Sequence, residues 1–118
     1  MDESRPIFQQ IAEQIENDII SGVLPEETQV PSTNEFAAFH RINPATAGKG
    51  VNLLVDTGIL YKKRGIGMFV AQGARARLLG QRQDQFRESY VVPLITEAEK
   101  LGITPGELST MIQKGDAR

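Results

Sequence analysis

The 118-residue chain has no cysteine and a single histidine. The first absence excludes a disulfide framework and every thiolate metal site or nucleophile. The second leaves His40 without the companions a His-rich metal site needs, so no metal or other cofactor is expected. No apolar run approaches the roughly 18 residues that span a bilayer, and no membrane partner is expected. The opening MDESRPIFQQ is polar and acidic, unlike a secretory leader. Catalytic patterns are missing too. There is no P-loop and no nucleophile elbow, and Gly65-Ile66-Gly67 lacks the third glycine and following helix of a dinucleotide site. An enzyme is not expected, and no catalytic residue is assigned. What remains reads as a soluble, cytoplasmic protein. A chain this long buries about 65% of its unfolded surface, enough for one core without staples.

The net charge of −2 hides a segregation. Residues 1–39 carry one base, Arg5, against eight acids, a balance of −7. Residues 40–77 carry seven bases (Arg41, Lys49, Lys62, Lys63, Arg64, Arg75, Arg77) against Asp56, a balance of +6. Residues 78–118 are near neutral. A basic middle between acidic ends is either a clustered solvated surface or the footprint of an anionic partner.

Periodicity gives the elements. Ile7, Phe8, Ile11, Ile15, Ile19 and Ile20 recur at three- and four-residue spacing, which predicts an amphipathic helix of about four turns. Pro6 stands at its entry and Gly22 just past its end. VLPEETQVP has two prolines and no period, and reads as a loop. Ser32 and Glu35 have capping-box spacing before a short helix through Phe36, Ala37 and Phe39. HRIN at 40–43 breaks that helix. Asn43 as cap and Pro44 at the first helical position open the next, which runs to about Thr57 with Ala47, Val51, Leu54 and Val55 facing inward. Residues 59–63 and 68–71 are strand-like around an Arg64–Gly67 turn, an antiparallel hairpin. Leu79, Phe86, Tyr90, Leu94, Ala98 and Leu101 continue a long helix that Pro93 should kink near Ser89. Gly102 closes it. A second capping box, Thr104 to Glu107, opens a short helix that buries Leu108, Met111 and Ile112.

The fold class is mostly α with a small β-hairpin. Residues 5–73 form a winged helix-turn-helix, and residues 74–115 a helical hairpin. In a helix-turn-helix the second helix presents its N-terminal end to a nucleic acid. Here Asn43, Ala45, Thr46 and Lys49 occupy that end. Asn43 and Thr46 can hydrogen-bond phosphates or bases, Ala45 permits close approach, and Lys49 reaches a phosphate or a guanine edge. Lys62, Lys63 and Arg64 lead into a glycine turn that fits a narrow groove.

Taken together, SGVLP at 21–25, VPSTNEFA at 30–37, INPAT at 42–46 and GIGMFV at 65–70 resemble the GntR family of bacterial transcription regulators. NPAT at 43–46 and EAEKLGITPGEL at 97–108 are similar to its YtrA subfamily. The resemblance runs from about Arg5 to Ile112. It implies a homodimeric, repressor-type regulator of an inverted-repeat, double-stranded DNA operator, with a dimerisation tail instead of a large ligand-binding domain. It implies DNA contacts at Ser32, Asn34, Asn43, Thr46, Lys49 and the wing from Arg64 through Gly65 to Gly67, with Thr33, Ala45 and Lys62 beside them.

The chain also departs from the family pattern. Asn34 and Ile66 stand where most members carry Arg. Glu26-Glu27 replaces Pro-Gly. Gly48 and Gly50 lie inside the recognition helix, at about 0.8–1 kcal/mol each relative to Ala. These departures support a competing reading, a winged helix used for protein contact with DNA binding weakened or lost.

The tail's apolar face comprises Leu79, Phe86, Tyr90, Leu94, Leu101, Leu108, Met111 and Ile112. It exceeds what a two-helix hairpin can hide, which predicts a two-fold homodimer. An effector pocket is hard to build from two helices. A small-molecule effector, if the protein has one, is expected at the dimer interface or near Tyr90 and Pro93.

Overall fold

Isoleucines at helical spacing make α1, Ile7–Ile20, and bury Ile11, Ile15 and Ile19 with Ala12. Its C-terminal turn runs into Gly22 at φ +87°. In this computed structural model residues 3–115 are described; Met1 and Asp2 of the acidic opening, and residues 116–118, lie outside them.

The capping box forms as read from the sequence. Ser32 Oγ accepts the Glu35 N–H at 3.1 Å, and the Ser32 N–H donates to Glu35 Oε1 at 3.1 Å. It opens α2, Thr33–His40, which ends at Arg41 in the left-handed region. Asn43 Oδ1 accepts the Ala45 N–H at 2.7 Å and caps α3, Pro44–Asp56. The hairpin follows. β1, Leu60–Lys63, pairs antiparallel with β2, Gly67–Val70, setting Leu60 opposite Val70 and Lys63 opposite Gly67.

The loop before α2 is more ordered than its composition implies. Val70 N–H donates to Thr28 at 3.0 Å, and Val30 N–H donates to Met68 at 2.9 Å. Gln29 bridges to Phe69, so residues 28–30 cover the second edge of β2. Pro25 and Pro31 bracket the stretch and keep it short, since proline cannot extend a ladder. The Glu26-Glu27 departure is absorbed here. Glu27 adopts φ +67°, a left-handed conformation that suits glycine. Its carboxylate accepts the Tyr61 hydroxyl, and Glu26 Oε1 accepts the Gly73 N–H at 2.7 Å.

The core gathers α1, α2, α3, the hairpin and the start of α4, Ala74–Phe86. Ala74 and Leu78 are fully buried in it. Two arginines of the same turns donate to helix C-terminal carbonyls. Arg75 Nε reaches Ile20 at 2.9 Å, and Arg77 reaches Thr57 at 2.7 Å and Gly58 at 3.2 Å. A cation there satisfies orphan carbonyls and the negative helix end. Two compact units meet after Leu79, inside α4.

In the second unit α4 passes into a π-helical turn, Arg87–Val91, then α5, Val92–Lys100, and α6, Pro105–Gln113. Pro93 has no N–H for the Ser89 carbonyl, and its ring crowds that carbonyl. The expected kink is met as a wide turn, with the Val92 N–H donating five residues back to Arg87. One expectation fails within a single chain. Leu108 is half-buried, but Met111 and Ile112 are 56% and 62% exposed. Two short helices have no third face to cover them.

The two glycines of α3 are unlike each other. A Cβ on Gly50 would lie 2.7 Å from the Phe8 carbonyl oxygen and 2.9 Å from Ile11 Cγ2. A Cβ on Gly48 would meet only Thr33 Cγ2, at an ordinary 3.5 Å. Gly48→Ala is therefore expected to stabilise by up to about 1 kcal/mol. Gly50→Ala should destabilise by about 1–3 kcal/mol, because backbone and a packed isoleucine must move. Paired urea denaturation of the two variants checks this, and shifts of the same sign would refute it.

Both capping boxes also make stability depend on pH. Glu35 and Glu107 are held below the ordinary glutamate value of 4.5, chiefly by the N–H of Ser32 and of Thr104, then by their hydroxyls. A lowered carboxyl value contributes stability that is complete above the unfolded value and fades as pH falls through the folded one. The urea midpoint is expected to drop between about pH 6 and pH 3. Glu35→Gln with Glu107→Gln retains the box geometry and should flatten that part of the profile.

Candidate nucleic-acid interface

Every residue singled out for DNA contact lies in the first unit, on three elements. The exposed stripe of α3 carries Ala45, Lys49, Asn52 and Asp56 at helical spacing. Thr46 is half-buried beside it. Lys49 does not extend freely: its Nζ sits 4.1 Å from the centroid of the Phe8 ring, a cation–π contact with α1. Because Ala45 and Gly48 are small, a recess of about 540 Å³ opens along this face, with Phe8, Lys49, Asn52, Leu53 and Asp56 as its other walls.

Asn43 has a divided role. Its Oδ1 is engaged by the cap, so the amide nitrogen is what it offers outward. At the start of α2, Ser32 is committed to its box, Thr33 is half-buried and Asn34 is exposed. In the wing, Lys62 and Arg64 are exposed, while Lys63 Nζ lies 4.3 Å from the Phe69 centroid and 5.9 Å from that of Tyr61. Gly65 turns the tip at φ +78°, and Ile66 is 62% exposed there.

The candidate dimerisation residues sit mainly in the second unit. Phe86, Tyr90, Leu94, Leu101, Met111 and Ile112 are exposed, Leu108 is half-buried, and Leu79 is half-buried at the end of the first unit. The Phe86 and Tyr90 rings meet at a tilt of 42°, with centroids 5.4 Å apart. Val92 and Ile95, 45% exposed each, extend the apolar surface beyond the sequence reading. Among the described residues no three His, Asp or Glu side chains converge as a metal site, and no helix is long and apolar enough to cross a membrane.

Comparisons with known proteins bear on the family and the fold. The description "Bacterial regulatory proteins, gntR family" matches residues 7–70. The HTH-type transcriptional repressor YtrA of Bacillus subtilis is 27% identical over 111 residues, covering 94% of this chain and 85% of that protein. A GntR-family transcriptional regulator of known structure from Bacteroides thetaiotaomicron superposes with TM-score 0.79 at 34% identity, covering 95% of this chain and 97% of that one. The DNA-binding domain of AraR, in complex with operator ORX1, superposes with TM-score 0.55 at 30% identity over 60% of this chain and 87% of its own.

Sequence reasoning missed four residues that shape the site. Asn52 and Asp56 continue the helical period of Ala45 and Lys49, so the signal was present. Phe8 was grouped with the apolar face of α1. Gln29 sits in a stretch read as plain loop, yet its Nε2 donates to the Ile66 carbonyl at 3.0 Å and ties down the wing tip. The same nitrogen would lie 2.6 Å from a Cβ on Gly67. Gln29→Ala should speed hydrogen exchange at Ile66 and Gly67 by up to about tenfold, the worth of one hydrogen bond. The global unfolding midpoint should barely move. Unchanged exchange at the tip would show that the hairpin needs no tie.

Proposed function

This chain belongs to the gntR family of bacterial regulatory proteins and is a transcriptional regulator with a DNA-binding helix-turn-helix domain; on that premise we propose that it is a cytoplasmic repressor that reads an inverted-repeat operator as a homodimer. The observation that carries the DNA reading is the shared placement of an exposed α3 stripe and a basic wing on one unit. The likeness to an operator-bound AraR domain and to the repressor YtrA supports it. In this reading Asn43, Ala45, Thr46 and Lys49 face bases and nearby phosphates. Ser32, Thr33 and Asn34 lie along the backbone, and Lys62, Arg64, Gly65 and Gly67 form the groove-seeking wing. Residues 5–73 bind DNA and residues 74–115 pair two copies.

The competing protein-contact reading drew on the departures from the family pattern. Two of them have structural duties. Gly50 admits the backbone of α1, and Glu26-Glu27 braces the wing and the entry to α4. Neither requires DNA binding to be lost.

The dimer is supported by the apolar surface that one copy leaves open. Phe86→Glu and Ile112→Glu change side chains 58% and 62% exposed in the single chain. Such surface changes should cost the fold within about 0.5 kcal/mol. They should nonetheless yield monomers by light scattering at micromolar concentration, with operator binding much weaker. A wild-type monomer at that concentration would overturn the dimer.

DNA binding is separable by salt. Arg64→Ala removes up to two phosphate contacts per dimer, so the log–log salt slope should shrink by up to about 1.8, at roughly 0.9 per contact. Specific and scrambled duplexes should weaken alike, since phosphate contacts carry no direct sequence information. Asn43→Ser keeps an N-cap oxygen but removes the amide donor, and should relax sequence preference instead. A salt titration of wild type and both variants reads these outcomes; an unchanged Arg64→Ala slope would take the wing off the DNA.

A further inference from the structure

One recess of the first unit has the wrong charge for nucleic acid. It encloses about 390 Å³ between α1 and α2, and Asp18, Pro31, Glu35, Phe36, Phe39 and His40 line it. That volume falls within the usual range for small-molecule sites. Its walls are aromatic. The Phe36 and His40 rings lie 4.3 Å apart between centroids, and Phe39 meets His40 edge-on at 5.0 Å. Phe39 is 82% exposed, more than any other large apolar side chain among the described residues, and no core contact explains it.

Its formal charges are two carboxylates, with His40 as the one basic side chain in the lining. Asp18 and Glu35 bring two carboxylates, and Glu35 stays ionised because the Ser32 N–H and hydroxyl favour its charged form. Asp18 Oδ1 accepts from Gln14 Nε2 at a long 3.5 Å. Two helices also end here: Asp18 lies in the last turn of α1, and Phe39 and His40 in the last turn of α2. The end of α1 is itself offset by Arg75, whose Nε donates to the Ile20 carbonyl at 2.9 Å, so the negative charge of the recess rests on the two carboxylates. Arg41 follows His40 but is not part of the lining. A phosphate would be repelled. A positive charge attached to an apolar body would find carboxylates beside aromatic side chains, the combination that recognises ammonium groups.

We propose that this recess binds a small organic cation, of the alkylammonium class, with its charge against Asp18 and Glu35 and its methylene or methyl groups on Phe36, Phe39 and His40. The site stands apart from the wing and the α3 stripe, and the inference does not depend on the DNA reading.

The test is an NMR titration of the full chain with choline and with its neutral isostere, 3,3-dimethylbutan-1-ol. Choline should shift the amides of Asp18, Phe36, Phe39 and His40 saturably, at least about tenfold more tightly than the neutral alcohol. Glu35→Gln keeps the capping box, and Asp18→Asn keeps shape. Each should weaken choline binding severalfold without altering the alcohol's. Phe39→Leu keeps an apolar wall without the ring and should weaken choline selectively. Equal affinity for choline and the alcohol would overturn the proposal, leaving an apolar dent only. So would binding that survives both carboxylate substitutions, or the absence of saturable shifts at millimolar choline. A short lysine-rich peptide that saturates the recess where choline does not would also overturn it, in favour of protein docking.

Discussion

The first unit is organised around the approach of α1 to α3 at Gly50, where a methyl group would stand 2.7 Å from the Phe8 carbonyl oxygen. Much of the first unit follows from that contact. It brings Ile11 against α3 and accompanies the burial of Ala47, Val51 and Leu54 in the shared core. It also sets the Phe8 ring where the Lys49 ammonium rests on it. An extended lysine is a loose point charge with four rotatable bonds. A lysine lying on a ring from a neighbouring helix has fewer orientations to lose on binding. The same glycine that weakens α3 as an isolated helix therefore fixes where its outward charge is held.

The wing depends on a different constraint. A two-stranded hairpin alone is marginal in water. This one is buttressed on its second edge by residues 28–30, tied at its tip by Gln29, and packed at its base through Leu60 and Val70. Tyr61 and Phe69 stack across the strands, with centroids 5.9 Å apart, and Lys63 covers the face of Phe69. Glu27 accepts the Tyr61 hydroxyl and raises its ionisation above the ordinary phenol value. A residue forced to positive φ thus also anchors the aromatic pair.

Local signals carried most of the fold. Both capping boxes, the Asn43 cap, Pro44 at the first helical position and the glycine turn are written within four residues of where they act, and all appear in the structure. The misses are non-local. Nothing near Gly50 in the sequence announces that Phe8, forty-two residues earlier, will press on it. Nothing in VLPEETQVP announces that its middle will pair with a strand that follows almost forty residues on, because edge pairing is decided by the partner. Pro93 announced a disturbance, but whether a helix bends or widens depends on how it reuses the freed carbonyl. The α3 candidates were legible because helical period projects onto one face; Gln29 was not, since it acts through a single cross-loop hydrogen bond.

The small residues at Ala45 and Gly48 change what the reading helix can do. With no long side chain at either position, the α3 stripe is concave, and the groups that rise from it are Lys49, Asn52 and Asp56. In a major groove, a concave stripe lets backbone and base edges come closer at its N-terminal end, where close approach favours a thymine methyl over a hydrogen-bonding partner. On the DNA reading, directional contacts then extend beyond Asn43 to Lys49, which can reach guanine, and to the Asn52 amide, which can pair with adenine. Asp56 lies beyond them, where its charge resists deeper insertion beside phosphates. On the same reading, a helix with this profile adds shape at Ala45 and two polar side chains at its middle to the amide that Asn43 offers at its cap. It draws its electrostatic affinity mainly from the wing, because Lys49 is the sole cation on α3.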